Sequence, residues 1–457
     1  MKNRIKQYLL AASMCVGLTA CSDFFEPIPG VQFGLDETFA SKQRTEEYLN
    51  NVYSYVREVT DAIHPNTYGG IFTEASLDGA NRWNKTYAEW TNGSFNSASA
   101  QASEYFSKYY QAIAKASTFI QNVDKCTEAA ASTRGKWKSE ARALRAYYYF
   151  ELLRLYGPIP LIGEDPIPLD ASLEELIKER NSVDECVNFI ATELQSAIDS
   201  GDLLQRAGKA NLGRMDVATC MALKAKLYLY WASPLFNGNT DQASVKNKDG
   251  KQLFPQTEDN SKWAQARDAY ERFMTFATGQ GYKLTEVYTN GKLDPYDSCK
   301  AAGEFFTTTW EAVDELIFVK LRDLYDYTYW VCPKFTDFQD TDVTGGGGYY
   351  TTQETVDLFF TKDGLTIEED PGYDKFEGIP SANNFTSGRY YDPNNPSRLY
   401  FDADKSKVLK QWKDREPRFY VNITYSGSIW LNEGKYNEEM RTDFTNGANG
   451  TCGKSKA

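Results

Sequence analysis

The sequence predicts a mainly α-helical fold with long irregular connections and few short strands. Three observations predict it. Apolar residues recur at helical spacing in six stretches. Capping and stop residues bracket several of them. The segments between carry Gly, Pro, Asn and aromatic residues with no sustained alternation of the kind strands need.

The helices follow in order. Gln43 to Val59 carries Leu49, Val52, Val56 and Val59 on one face, and Gln101 to Val123 carries Phe106, Tyr109, Ile113, Ala116 and Ile120. In Arg134 to Tyr156 the apolar face is Trp137, Ala141, Leu144, Tyr148, Leu152 and Leu155, and Gly157 and Pro158 then stop the helix. The fourth starts at Ser182 with Glu185 three residues later, a capping box that satisfies two amide donors, and runs through Val187, Ile190, Leu194 and Ala197. Met215 to Trp231 carries Ala218, Met221, Ala222, Ala225 and Leu229, and a sixth helix after Ser261 carries Trp263, Tyr270, Phe273 and Ala277. Between and after them lie irregular segments, Ile63 to Ala100, Pro234 to Asn260, Tyr282 to Phe306 and Leu321 to Tyr350. Loops of that length bind something or are disordered, and their aromatic content argues against disorder.

At the amino terminus Lys2, Arg4 and Lys6 precede an apolar stretch, Tyr8 to Thr19, that is too short to span a bilayer, which takes roughly 20 residues. Residues 1–20 therefore read as a signal peptide. Leu18-Thr19-Ala20-Cys21 places small residues directly before a cysteine, the pattern on which bacterial lipoprotein processing acts, so Cys21 is the expected lipidation site. One acyl chain holds a protein only marginally, at roughly 10⁴ M⁻¹, whereas two or more hold it firmly. Residues 21–42 then form the lipidated cysteine and a tether.

Glu140-Ala-Arg-Ala-Leu-Arg-Ala-Tyr-Tyr-Tyr-Phe150, ending in Tyr156-Gly-Pro-Ile-Pro-Leu-Ile162, resembles the most recognisable helix of the SusD/RagB family, the lipid-anchored nutrient-binding proteins of the Bacteroidetes outer membrane. Thr351 to Gly364, Asp414-Arg415-Glu416-Pro417-Arg418-Phe419 and the Cys21 start resemble the same family, so the likeness runs from Cys21 to about Trp430. It implies a SusD-like bundle of tetratricopeptide-type helix pairs with long loops. Ala146-x-x-x-Phe150 followed by Pro158 resembles half of such a repeat. On this reading residues 43–457 are one SusD-like domain, with a helical scaffold over about 43–280, a loop-rich ligand-binding region over about 281–430 and a polar tail at 431–457. Family members usually continue with another long helix pair bearing an Arg-x-Ala-Glu-type helix. Nothing after Trp430 matches it, so a carboxyl-terminal helix pair is expected to be missing.

Composition narrows the function. Formal charge is -13, and three units more negative once Lys2, Arg4 and Lys6 leave with the leader, which argues against nucleic acid as a partner. A single histidine, His64, excludes multi-histidine metal sites and histidine-relay triads. Gly345 to Gly348 lacks the following Lys-Ser/Thr of a phosphate cradle. No spacing singles out a carboxylate pair for glycoside cleavage, so no catalytic residues are assigned. No cofactor is expected: Asp241, Asp249 and the Asp337 to Asp342 run are the acids a calcium ion could use, but no twelve-residue loop pattern organises them. After Cys15 and Cys21, six cysteines remain (Cys126, Cys186, Cys220, Cys299, Cys332 and Cys452), whose pairing the sequence does not set.

What remains is a set of aromatic residues in loops. Asp78, Asn81, Arg82, Trp83 and Trp90 form one candidate cluster, and Tyr325, Tyr327, Tyr329 and Trp330 a second. A flat ring buries the C–H face of a sugar while Asn, Asp and Arg meet its hydroxyl edge. A ring that removes about 50 Å² of apolar surface contributes ~1.3 kcal/mol, so a few rings imply roughly millimolar to micromolar affinity after association costs. The expectation is a non-enzymatic, cell-surface glycan-binding lipoprotein of the outer membrane. By resemblance it serves polysaccharide utilisation by passing oligosaccharide to a SusC-like TonB-dependent transporter. Peptide cargo in the same uptake role, a surface glycosidase, and a helical-repeat scaffold without a small ligand are the alternatives.

Overall fold

The computed structural model describes residues 34–56, 76, 80–81, 89, 93–163, 165, 167, 171–304, 314–320, 349–375, 379–404, 406–429, 440–443 and 451–454. Two amino-terminal helices, α1 (Leu35–Ala40) and α2 (Lys42–Tyr53), are separated by the extended Ser41. After the two-residue strand β1 (Ala80–Asn81) comes α3 (Ala100–Asn122), and then α4 (Ala131–Tyr156). A four-residue helix, α5 (Leu173–Leu176), precedes α6 (Val183–Asp199), α7 (Val217–Ala232) and α8 (Ser261–Gly279). From α3 onward each long helix packs on the next: α3 on α4, α4 on α6, α6 on α7 and α7 on α8. This is the stack of paired helices expected from the sequence, with boundaries within a few residues for all but the first, which ends earlier.

Local chemistry sets the helix ends. The Ser182 hydroxyl accepts the Glu185 amide while the Glu185 carboxylate accepts the Ser182 amide at 2.7 Å, and Asp216 caps α7 through the Thr219 amide at 2.7 Å. Helix α4 stops at Gly157, whose φ of 69° closes a bond to the Leu153 carbonyl.

Three sequence expectations are corrected. Helix α4 is not a one-faced amphipathic helix: Trp137, Glu140, Leu144, Arg145, Tyr147, Tyr148, Tyr149, Phe150 and Glu151 are all buried, so it runs through the centre of the scaffold. Buried polar groups here bond to neighbours, the Tyr149 hydroxyl to the Ile162 carbonyl at 2.8 Å and Arg145 to Glu193. Leu229 and Trp263, assigned to the core by spacing, are 40% and 42% exposed. Helix α8 packs chiefly on α7, so among the described residues the outer rim of that last pair has no further long helix stacked on it.

The third correction concerns Tyr282 to Phe306, expected to be irregular. It holds a hairpin, β2 (Tyr288–Thr289) with β3 (Lys292–Leu293), and a helix, α9 (Pro295–Glu304). Asn290 and Gly291, both at positive φ, supply the two-residue turn. Arms of two residues are too short for a period to register.

A second, aromatic core is built by Tyr296 and by residues between Val356 and Tyr425. Strand β4 (Tyr349–Tyr350) leads to the short helix α10 (Gln353–Asp357), then β5 (Phe385–Thr386), β6 (Arg389–Asp392), β7 (Asn395–Asp402), β8 (Val408–Leu409) and α11 (Pro417–Asn422). The last strands, β9 (Met440–Asp443) and β10 (Thr451–Lys454), pair with each other. Strands β6 and β7 are antiparallel, as are β5 and β8. Tyr296, Tyr400, Phe401, Phe419, Tyr420 and Tyr425 fill the core, with the Tyr400 and Tyr420 rings stacked at 3.8 Å.

The two distant motifs of this region hold each other. Arg415 donates to the Val356 and Phe359 carbonyls at 2.6 and 2.8 Å and to the Tyr373 hydroxyl at 2.5 Å. The Glu416 amide donates to the Phe360 carbonyl, and the Phe360 amide to the Glu416 carboxylate. Cys126, Cys186, Cys220 and Cys299 are free thiols, and Cys220 is buried as its apolar helix implies. No helix among the described residues is long and apolar enough to cross a membrane.

Candidate functional site

Of the sequence-predicted site residues, Cys21, Asp78, Arg82, Trp83, Trp90, Tyr325, Tyr327, Tyr329 and Trp330 lie outside the described residues, and Asn81 is described through its backbone. What the structure does place is a strand pairing between described parts of the two segments. Asn81 pairs with Tyr349 and Ala80 with Tyr350 in the antiparallel ladder of β1 and β4. The segment that carries the first aromatic cluster is therefore joined by backbone hydrogen bonding to the end of the segment that carries the second. Sequence spacing gave no hint of this, because 268 positions separate the partners in the register Asn81↔Tyr349.

The described stretches that end at Val56, just past α2, and at Lys320 lie side by side. The Lys320 ammonium donates to the Val56 carbonyl at 2.5 Å and to the Ser54 carbonyl at 3.4 Å. Residues 314–320 are docked on the scaffold along their length. Asp314 pairs with Arg206 at 2.9 Å and Lys283 at 3.5 Å, and the Glu315 carboxylate accepts the Thr285 amide at 3.0 Å. The Ile317 carbonyl accepts the Thr219 hydroxyl at 3.3 Å, and the Phe318 ring meets Tyr147 edge-on. Val319 passes so close to Gly213 that a Cβ there would sit 2.8 Å from the Val319 carbonyl oxygen, a contact only glycine permits.

A cavity of about 300 Å³ lies at this root, lined by Asn50, Tyr53, Leu212, Arg214, Phe318 and Lys320 among others. Its polar wall is a linked network. The Tyr53 hydroxyl donates to Glu140 at 2.8 Å and accepts the Met215 amide at 2.8 Å. Arg214 lies over the Tyr53 ring at 5.1 Å, pairs with Glu140 at 3.2 Å and Glu46 at 3.7 Å, and donates to Asn50 at 3.0 Å. Burial pushes the Tyr53 phenol well above its ordinary range and raises the Glu140 carboxyl, the latter against the pull of Arg214. The wall is thus a network whose members pair with one another.

Sequence reasoning missed Lys320, Arg214 and Glu140. The one available signal was Glu140, a carboxylate inside a helix whose other residues are buried, which needs a cation from elsewhere in the chain. Among the described residues no group of three or more His, Cys, Asp or Glu side chains is placed to share a metal ion.

The remaining half-open cavity of note, about 380 Å³, is apolar and lies between α3 and the chain around Pro160 to Lys178. It is lined by Phe106, Tyr110, Ile113 and Ile162 and rimmed by Leu176 and Ile177. It offers few polar groups with which to orient a sugar.

Comparison with known proteins agrees with this architecture. Residues 32–229 match a SusD-like family described as starch-binding and associating with the outer membrane, and residues 315–456 match the SusD family. A SusD-like protein of Bacteroides ovatus is 27% identical over 175 residues, which are 37% of this chain and 30% of that protein. The solved structure of BT4246 superposes with a TM-score of 0.66 at 24% identity over 85% of this chain and 66% of its own. A SusD-like protein of Bacteroides fragilis does so with a TM-score of 0.63 at 19% identity over 92% of this chain and 69% of its own. This chain thus spans less than two thirds of the length of the first two. Matches to both halves, with the shared fold between them, support one conclusion: the chain belongs to the SusD/RagB family.

Proposed function

We propose that this protein is a cell-surface glycan-binding lipoprotein that captures oligosaccharide without turning it over. It is held at the outer membrane by acylated Cys21 and passes its cargo to a SusC-like TonB-dependent transporter. The observation that carries the binding site is the Asn81–Tyr349 pairing, which joins the two segments that the sequence nominates for sugar contact. The matched family's description as starch-binding and associating with the outer membrane supports the cargo class and the location. In this reading Trp83, Trp90, Tyr325, Tyr327, Tyr329 and Trp330 cover sugar faces, and Asp78, Asn81 and Arg82 meet hydroxyl edges. Affinity is modest because each ring contributes only ~1.3 kcal/mol. A carrier that must release its ligand into a pore gains from that.

The test is a side-by-side panel of oligosaccharides and peptides against the purified protein, read by calorimetry and by retardation in glycan-containing native gels. Glycan binding in the micromolar to millimolar range is expected, with no reducing ends released. The Trp83→Ala/Trp330→Ala double variant should bind at least about tenfold more weakly with an unchanged unfolding midpoint. Binding of peptides alone would replace the cargo, and release of reducing ends would replace the reading with a glycosidase. Unaltered glycan affinity in the double variant would move the site elsewhere.

A further inference from the structure

Helix α3 carries two stripes at helical spacing. One, with Tyr109, Ala116 and Phe119, is buried in the scaffold core. The other, with Phe106, Tyr110 and Ala114, lines the half-open cavity of about 380 Å³. The chain from Pro160 to Lys178 supplies the rest of the lining, including Leu176 and Ile177, which are 51% and 68% exposed. The chemistry of this lining selects an occupant. The Tyr110 hydroxyl donates to the Pro160 carbonyl at 2.7 Å, and the Ser117 hydroxyl accepts from Arg145 at 3.1 Å. A sugar or a peptide placed here would leave polar groups without the partners they had in water, which is costly. An aliphatic chain loses no hydrogen bond and gains by leaving water. Lys178 is the one charged residue of the lining, so the head of that chain should be an anion. Glu175 of the same stretch is turned to the cap of α5, where it accepts the Ser172 amide at 2.8 Å and hydroxyl at 2.9 Å. An apolar cavity of about 150 Å³ takes up benzene, so this one has room for roughly twice as many carbons.

We propose that this cavity binds a free fatty acid of medium chain length, with the chain between α3 and the Pro160 to Lys178 wall and the carboxylate at the Lys178 ammonium. The site uses none of the residues nominated for sugar contact. Its affinity comes from the chain, and the lysine sets the polarity of the head. Each methylene removed from the ligand should therefore weaken binding about fourfold, whereas loss of the exposed ammonium should weaken it by about threefold to fivefold.

The experiment titrates the full chain by calorimetry with sodium decanoate, sodium octanoate, decanol and decyltrimethylammonium, each below its micelle concentration. Decanoate should bind with one site per chain, octanoate at least about tenfold more weakly, and decyltrimethylammonium more weakly than decanoate. Ala114→Trp, which puts a large ring into the cavity from α3, should weaken decanoate at least about tenfold with an unchanged urea midpoint. Lys178→Gln should weaken decanoate about threefold to fivefold and leave decanol unaltered, a split that a structural role for the lysine would not produce. If Ala114→Trp lowers the midpoint, Ile177→Ser at the exposed rim replaces it, with decanoate expected about threefold weaker. Decanoate binding that is absent, insensitive to chain length, or unchanged in the variant that keeps its fold overturns the proposal, and so does equal affinity for decyltrimethylammonium. Light scattering adds a further outcome: an unmodified protein that dimerises and an Ala114→Trp variant that does not would assign the cavity to a second copy of the chain and overturn the fatty-acid reading.

Discussion

Replacing Arg398 with alanine should destabilise the second core by about 3–5 kcal/mol, read as a fall in the urea midpoint of tyrosine fluorescence and near-UV circular dichroism. One guanidinium there serves three carboxylates. It reaches Asp294 at 2.9 Å, Asp297 at 2.7 Å and Asp392 at 2.6 Å, and lies over the Tyr296 ring at 4.3 Å. Asp294 and Asp392 are buried, so deleting the cation leaves like charges close together in a poorly screened site. The bond also ties the start of α9 to β6 and β7, and its loss should loosen Tyr296 from Tyr400.

The pH dependence of that variant follows from the same geometry. Burial alone would push the Asp294 carboxyl up, but Arg398 and the Asp297 amide outweigh it and hold the group below its ordinary value. Its stabilising contribution is therefore full above about pH 3.9 and is lost as the pH falls through the lower folded-state value. In Arg398→Ala the burial of the Asp294 carboxyl is no longer outweighed and pushes that group above its ordinary value instead, so the variant gains stability relative to the unmodified protein as the pH falls. The gap between the two should narrow on acidification, and Asp392→Asn added to Arg398→Ala should recover part of the loss at neutral pH. A gap independent of pH would show that lost packing, not uncompensated charge, accounts for the cost.

Arg145→Ala should cost the helical scaffold a similar about 3–5 kcal/mol, measured as a lower midpoint of far-UV unfolding. Arg145 is fully buried in α4, donates to Glu193 of α6 through Nε at 2.8 Å and through Nη2, and reaches the Ser117 hydroxyl of α3 at 3.1 Å. It links three successive helices. With Arg145 gone, Glu193 keeps Arg142 at 3.0 Å as its one cation among the described residues, and a void the size of a guanidinium opens between α3, α4 and α6. Removing both charges, as in Arg145→Met/Glu193→Met, should cost much less than the single change, because no buried charge is then left unpaired. A double-mutant cycle gives the coupling directly, and equal losses in the single and double variants would contradict this account.

The helices were readable because their signals are local. Ser182 with Glu185 and Gly157 before Pro158 act within one turn of chain, so capping and stop residues mark the start of α6 and the end of α4 without knowledge of neighbours. The faces were less readable. Helix α4 reads as amphipathic because spacing assumes that charges face water, whereas Glu140 and Arg145 are buried beside partners on other helices and Glu151 beside Arg154 of its own. The β2–β3 hairpin and α9 escaped because both are short, and the aromatic core escaped because its rings come from residues 296 to 425, with no period to connect them. Many tyrosines that composition alone offers to a ligand are spent there. Tyr390 is an example: its ring stacks on Phe401 and its hydroxyl donates to Asp414 at 2.9 Å.

By itself, the sequence determined the helical class, the positions of the long helices, the exclusion of histidine-based chemistry and the family likeness, since each depends on residues close together in the chain or on counts. Only the tertiary structure decided that Lys320 reaches the Val56 carbonyl, that Asn81 pairs with Tyr349, and that two motifs some fifty residues apart lock together through Arg415. The physical reason is that these depend on which backbone carbonyls the folded chain leaves unsatisfied and which distant cation or amide can reach them. That is a property of the assembled packing and has no trace in local spacing.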